Sequence, residues 1–212
     1  MSWLSLLRGE APPGPAPSPI GEAGGPREVE GAAPGAGLFF SSCLGRSDLA
    51  VLDLGPSSAM SFGIYRTMAR RIRFADLFSD WGEEGWAEAL RTVPRDPSRA
   101  VDRILAWDTL DRLSPEGRHR LIRILSQVAA PDARLHMVIR GSREAAPGAL
   151  RFQLAGTDRM VYELGDKGAG GGLGPPLLPA ELHTLLLPFQ VENAFTLRGD
   201  LREYVAVWRG GD

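Results

Sequence analysis

Two acidic residues stand where predicted strands end and turns begin. Asp53 closes a short apolar run and precedes the small-residue turn that starts at Gly55, and Asp76 follows 23 positions later at the end of a second predicted strand. A strand, a small-residue turn and a helix N-terminus let backbone groups approach a ligand closely. A carboxylate about 20 positions after such a turn is placed to bind both hydroxyls of a ribose. The spacing therefore predicts a nucleoside-binding arrangement.

Strands and helices alternate around these two acids. Strands are predicted at 49–55, 72–76, 103–107 and 134–139, and helices at 59–70, 86–93 and from Ser114 to Pro131. This alternation predicts an α/β fold with a parallel sheet and helices on both faces. The last third differs: it predicts a hairpin at 151–154 and 159–163, a helix at 179–187, and a closing antiparallel pair at 190–197 and 202–208.

Composition narrows the class of protein. The chain has 212 residues, 43% of them hydrophobic, with a formal net charge of −2, which leaves no excess charge for a nucleic-acid backbone or an anionic lipid surface. The lone cysteine, Cys43, excludes an internal disulfide and favours the cytoplasm. Residues 9–37 hold 8 Gly and 7 Pro, so residues 1–37 are predicted to be a disordered tail and residues 38–212 a single folded domain.

Residues 49–140 resemble the class I S-adenosylmethionine-dependent methyltransferases. The resemblance rests on Val-Leu-Asp53-Leu-Gly55, on the strand ending in Asp76, on the segment 101–113, and on Ala-Pro131-Asp-Ala, which is similar to the family's Pro-Gly-Gly turn. It implies a Rossmann-like, doubly wound, mostly parallel sheet with a C-terminal antiparallel strand pair. Only 32 positions separate Asp76 from Asp108, so the family's third strand is expected to be vestigial or missing.

The same resemblance implies a site for S-adenosylmethionine. Asp53 and Gly55 would lie beside the methionine part of the cofactor, Asp76 would hold the ribose, and Trp107 with Asp108 would face the reacting centre. The full cofactor-binding set implied is Asp53, Gly55, Pro56, Ser57, Asp76, Leu77, Trp107 and Asp108. The chain departs from the family at Ser57 and Ala59, where glycine is usual and each Cβ takes space near the cofactor.

Methyl transfer is an in-line displacement in which alignment supplies much of the acceleration, and a general base is optional. Asp108 is the candidate general base. Its alternative roles are to cap the following helix or to bind the methionine amine. Asp111 is expected to be a solvated helix residue. Residues 141–178 are the expected substrate lid over a small-molecule acceptor. No Asn/Asp-Pro-Pro-aromatic segment follows Trp107, which argues against methylation of base or glutamine amines. The tail could bind a protein partner.

Two alternatives remain open. The altered glycines and shortened middle also fit a catalytically inactive methyltransferase-like scaffold that binds a partner. The turn from Gly55 further resembles the nucleophile elbow of a serine hydrolase, with Ser57, Asp108 and His183 in chain order. His119 and His136 are scattered, so no metal site is predicted. No apolar run is long enough to cross a bilayer, so no membrane contact is expected.

Overall fold

The computed structural model describes residues 27–77, 91, 93, 100–140, 150–164, 174–198 and 200–210. The strands are β1 Arg27–Ala32, β2 Leu49–Asp53, β3 Ala69–Phe74, β4 Val101–Trp107, β5 Ala129–Arg140, β6 Leu150–Gly156, β7 Arg159–Leu164, β8 Phe189–Thr196 and β9 Leu201–Trp208. The helices are α1 Pro34–Ser41, α2 Ala59–Tyr65, α3 Thr109–Arg112, α4 Pro115–Val128 and α5 Pro179–Leu185.

Six strands form the central sheet in the order β3-β2-β4-β5-β9-β8. The first four are parallel to one another, and β9 is antiparallel to both β5 and β8. All five residues of β2 are buried, as expected for a parallel strand covered on both faces. The predicted α/β sheet with a closing antiparallel pair is therefore confirmed.

Helices cover both faces of this sheet. One core lies beneath α4 and α5, and the other lies beneath α1, α2 and the small sheet described below. Helix α4 shows how the sequence specifies one of these elements: the Ser114 side chain accepts a hydrogen bond from the Gly117 amide at 3.2 Å and caps the helix, with Pro115 in the first turn. The predicted apolar stripe of α4, which includes Leu121 and Leu125, is buried.

The middle of the chain leaves two predictions without an outcome. The missing third strand and the helix at 86–93 both concern residues 78–99, most of which lie outside the described residues. Among the residues that are described, no strand stands between β3 and β4 in the chain.

The N-terminal boundary of the folded part differs from the prediction. Residues 27–37 were expected in a tail, but β1 pairs antiparallel with β7, which also pairs with β6, so the predicted hairpin is completed to a three-stranded sheet. Val29 lies opposite Tyr162, more than 130 positions away, and local composition carries no trace of such a partner. Residues 27–37 therefore belong to the fold, and residues 1–26 lie outside the described part.

A buried carboxylate holds helix α1 against the sheet. Glu203 on β9 accepts hydrogen bonds from the Gly35 and Ala36 amides at 2.7 and 2.8 Å, and from His136 Nε2 at 2.7 Å. Both side chains are fully buried. A Cβ on Gly35 would lie 2.6 Å from the Glu203 carboxyl carbon, so only glycine allows this approach. The three donors compensate the buried charge and attach the N-terminal segment to the last strand.

Candidate functional site

The carboxyl ends of three parallel strands meet at the turn after β2. The Leu54 amide donates to the Leu105 carbonyl at 2.9 Å, the Ala75 amide to the Asp53 carbonyl at 2.8 Å, and the Leu77 amide to the Leu54 carbonyl at 3.0 Å. These bonds place the ends of β2, β3 and β4 side by side. The structure therefore brings the predicted site residues of all three strands to one edge, where ligands bind in open α/β sheets.

Asp53 lies at the centre of this edge and is only 1% exposed. Its Oδ1 accepts from the Gly55 amide at 2.8 Å and from Trp107 Nε1 at 2.6 Å, and its Oδ2 accepts from the Tyr65 hydroxyl at 2.6 Å. Burial raises the pKa of Asp53 to about 6 even though these three hydrogen bonds favour the charged form. The carboxylate is therefore saturated by donors of the protein itself.

Trp107 lies directly against the turn. Its indole is 1% exposed, and a Cβ built on Gly55 would be 2.9 Å from Trp107 Cδ1. The other face of the indole is covered by Phe152 of β6, whose ring is stacked at 5.7 Å with an interplanar angle of 4°. Trp107 also has a φ of 45°, a region that bulky side chains avoid. The space beside Gly55 is thus filled by an aromatic ring.

The rest of the turn is open to solvent or joined to the small sheet. Pro56 is half-buried, and Ser57 and Ala59 are exposed, so these side chains do not occupy the crevice beside Gly55. Ser58 caps α2, and its hydroxyl donates to the Gln153 side chain at 2.9 Å. Ser61 accepts from the Leu154 amide at 3.0 Å. Sequence reasoning missed these two serines, which fasten β6 beside the candidate site.

Asp76 and Leu77 form the second wall of the crevice. Leu77 is 2% exposed and belongs to the core, while Asp76 is half-buried. The φ of Asp76 is 23°, again outside the region that side chains prefer. Asp76 lies two residues beyond the last residue pair of β3 with β2, in the segment that follows β3 beside the Gly55 turn. Its role in holding a ribose stays a prediction.

Asp108 is buried beneath the carboxyl end of β4. Its Oδ2 accepts from Arg112 Nε at 2.9 Å and pairs with Arg112 Nη2 at 2.8 Å, while its Oδ1 is buried without a hydrogen-bond partner in the described structure. Burial raises the pKa of Asp108, opposed by the charge of Arg112. The side chain makes no capping hydrogen bond to α3, so the alternative role as a helix cap is wrong. The ion pair holds the carboxylate in place.

Asp111 is not the solvated residue that was expected. It is 1% exposed and accepts from the Arg140 amide at 2.7 Å and from Arg140 Nε at 3.2 Å. Arg140 lies at the end of β5, so Asp111 joins α3 to the sheet edge. The prediction failed because α3 is a four-residue helix pressed against β5, and no local pattern reveals that contact.

The histidines do not assemble a second kind of site. His119 and His183 are exposed on helices, and His136 is buried against Glu203. The residues that the structure describes include no group of three or more His, Cys, Asp or Glu side chains that could hold a metal ion. Within them no hydrogen bond joins Ser57, Asp108 and His183, and Asp108 is paired with arginine, so the hydrolase triad is not formed. None of the described helices could span a membrane.

Comparison with solved structures identifies the fold. A SAM-dependent methyltransferase from Methanosarcina mazei is similar with a TM-score of 0.50 and 16% identity, covering 79% of this chain and 95% of that one. Burkholderia thailandensis 1,6-didemethyltoxoflavin-N1-methyltransferase is similar with a TM-score of 0.49 and 17% identity, covering 84% of this chain and 77% of that one. The N-methyltransferase NodS from Bradyrhizobium japonicum WM9 is similar with a TM-score of 0.48 and 12% identity, covering 82% of this chain and 94% of that one. No protein-family model and no curated protein matches the chain. The chain has a class I methyltransferase-like fold.

Proposed function

We propose that the protein binds S-adenosylmethionine at the Gly55 turn and transfers its methyl group to a small-molecule acceptor. The observation that carries the proposal is the meeting of the Gly55 turn with half-buried Asp76 at the carboxyl edge of neighbouring parallel strands. This is where the fold binds ligands. The methyltransferase fold of the chain supports the same assignment.

The residues fit the two halves of the cofactor differently. We assign the ribose hydroxyls to the carboxylate of Asp76, which would accept hydrogen bonds from them, and the rest of the sugar-bearing half to the backbone groups of the turn from Gly55 to Ser57. The methionine half would lie where the Trp107 indole lies against Gly55. Binding of the whole cofactor therefore requires the indole to turn away from Gly55 and to release Asp53 Oδ1.

The bound cofactor supplies an electrophilic methyl group, and the protein aligns the acceptor with it. Asp108 is our candidate for the residue that faces the acceptor, because one of its oxygens is buried without a partner and the other is fixed by Arg112. With a pKa raised by burial, this carboxyl group is suited to take up a proton from an acceptor.

The single cysteine, Cys43, is buried and free, which supports a cytoplasmic location. A protein partner of the N-terminal tail remains a prediction.

An inactive methyltransferase-like scaffold is the second candidate. The specific observation in its favour is the packing of Trp107 between Gly55 and Phe152, with the indole donating to Asp53. If the Trp107 indole stays against Gly55, there is no space for the methionine half of the cofactor. The fold would then present its surfaces to a partner without turnover.

Calorimetric titration with S-adenosylmethionine and S-adenosylhomocysteine separates the two candidates. Methyl transfer requires that the unmodified protein binds the cofactor saturably. Asp76→Asn should abolish this binding. The control Asp48→Asn, which changes an exposed carboxylate at the opposite end of β2, should keep it. Binding only after Trp107→Leu identifies a scaffold with a filled crevice. No binding by either protein refutes the cofactor proposal altogether.

A further inference from the structure

A second opening lies away from the Gly55 turn, between the small sheet and the turn after β8. It is a cleft of about 330 Å³, bordered by β1 and β7 on one side and by Leu197 and Arg198 on the other. This volume lies at the lower end of the roughly 300–1,000 Å³ typical of small-molecule pockets. Phe152 separates the cleft from the candidate site, because its ring packs on Tyr162 at 5.8 Å and on Trp107 at 5.7 Å.

The floor of the cleft is apolar and open. Met160 is 1% exposed and Leu197 half-buried, and both line the cleft. Apart from its chain neighbours, no heavy atom of a described residue lies within 4 Å of a Cβ built on Gly31, so the described part of the chain leaves space above this part of β1. The φ of Gly31 is not in the left-handed region, so the missing side chain is not explained by backbone conformation. A small apolar body fits over this position.

Two of the polar side chains that line the cleft, Arg198 and Tyr162, can donate hydrogen bonds. Arg198 is exposed and makes no ion pair with any described residue, and the Tyr162 hydroxyl has no hydrogen-bond partner among them although the residue is only 5% exposed. Both side chains line the same cleft, Tyr162 from β7 and Arg198 from the turn after β8. Burial raises the pKa of Tyr162, opposed by the charge of Arg198. The acid of the cleft, Glu30, is already compensated by Arg159 at 2.6 Å.

We propose that this cleft binds a small organic anion, with its apolar body over Gly31 and Met160 and its carboxylate at Arg198 and the Tyr162 hydroxyl. The Arg198 guanidinium, without an ion pair among the described residues, and the Tyr162 hydroxyl can both donate hydrogen bonds, and these are stronger to an ionised carboxylate than to a neutral amide. The site is independent of the proposed function, because it uses none of the residues at the Gly55 turn.

Titration calorimetry without any nucleoside tests the charge preference. The probes are benzoate, phenylacetate and phenylpropionate, with phenylacetamide as the uncharged match of phenylacetate. We expect saturable binding of at least one anion and about tenfold weaker binding of the amide. Arg198→Gln should weaken anion binding about five- to tenfold, and Tyr162→Phe by a smaller factor, whereas Arg120→Gln, an exposed arginine on α4, should leave it unchanged.

Filling the cleft tests its location. Gly31→Val adds methyl groups into open space on a strand that accepts a β-branched residue, so the protein should fold normally and lose anion binding. Gly63→Ala on α2, which also meets no atom within 4 Å, is the control and should bind as before. Asp76→Asn should bind the anion unchanged, which separates this proposal from the cofactor proposal. The anion-site proposal is overturned if none of the three anions binds or if phenylacetamide binds as tightly as phenylacetate. It is also overturned if Gly31→Val or Arg198→Gln binds the anions as tightly as the unmodified protein.

Discussion

Replacing the buried carboxylate of Asp53 by an amide should stabilise the protein at neutral pH. The side chain is 1% exposed, and burial raises its pKa from 3.8 to about 6. The folded protein therefore holds the proton more tightly than the unfolded chain does. The contribution of Asp53 to stability is fully present below about pH 4 and is lost as the pH rises through about 6.

The structure sets the size of this effect. The difference between a pKa of 3.8 and one of about 6 corresponds to about 3 kcal/mol once the group is fully ionised. In Asp53→Asn the amide oxygen still accepts from Gly55 and Trp107, and the amide nitrogen can donate to the Tyr65 hydroxyl. The variant should therefore gain up to about 3 kcal/mol in the free energy of unfolding at pH 8 and little at pH 4.

Urea unfolding across this pH range, followed by circular dichroism, measures the difference. Asp158→Asn, an exposed carboxylate in the turn between β6 and β7, is the control and should leave the pH dependence unchanged. A variant at position 53 whose free energy of unfolding changes by the same amount at both pH values would show that folding does not raise the pKa of Asp53. The assignment of its raised pKa to burial would then be wrong.

Three further substitutions test the packing described above. Glu203→Ala leaves three buried N–H donors unpaired and should lower the free energy of unfolding by about 3–5 kcal/mol, with faster amide exchange at Gly35 and Ala36. Ser114→Ala removes the cap of α4 and should cost about 1 kcal/mol in thermal or urea unfolding. Phe152→Ala opens a cavity in the core and should cost about 3–5 kcal/mol and shift tryptophan emission to longer wavelength; unchanged emission would contradict the stacked geometry.

The sequence predicted the central sheet because its strands are short apolar runs between turn signals. The run that ends at Asp53 is buried on both faces, and α4 carries its cap, its proline and its apolar stripe within 15 residues. Such local patterns do not depend on distant partners. Strand β1 does: it has a single large apolar residue, Val29, and becomes a strand only because β7 pairs with it. The Gly/Pro-rich composition therefore led us to predict that the folded part begins at residue 38, although β1 already includes Arg27.

The candidate site was predictable in its position and not in its contacts. The adjacency of Asp53, Asp76 and Trp107 follows from parallel strands that end at one edge. That Trp107 and Tyr65 both donate to Asp53 depends on side-chain conformations and on the angle of α2, which spacing alone does not define. The buried pair of Glu203 and His136 could not be predicted either, because the sequence around each residue carries no signal of this long-range contact.

The attachment of α1 to Glu203 has a consequence for biosynthesis. The two hydrogen bonds that secure Gly35 and Ala36 span 168 and 167 positions, so their acceptor leaves the ribosome long after the donors. During translation the Gly35 and Ala36 amides stay hydrated until β9 has emerged and paired with β5. Helix α1 is thus among the last of the described elements to gain its native contacts, and a ribosome stalled before residue 203 would carry a nascent chain whose α1 segment still lacks its acceptor.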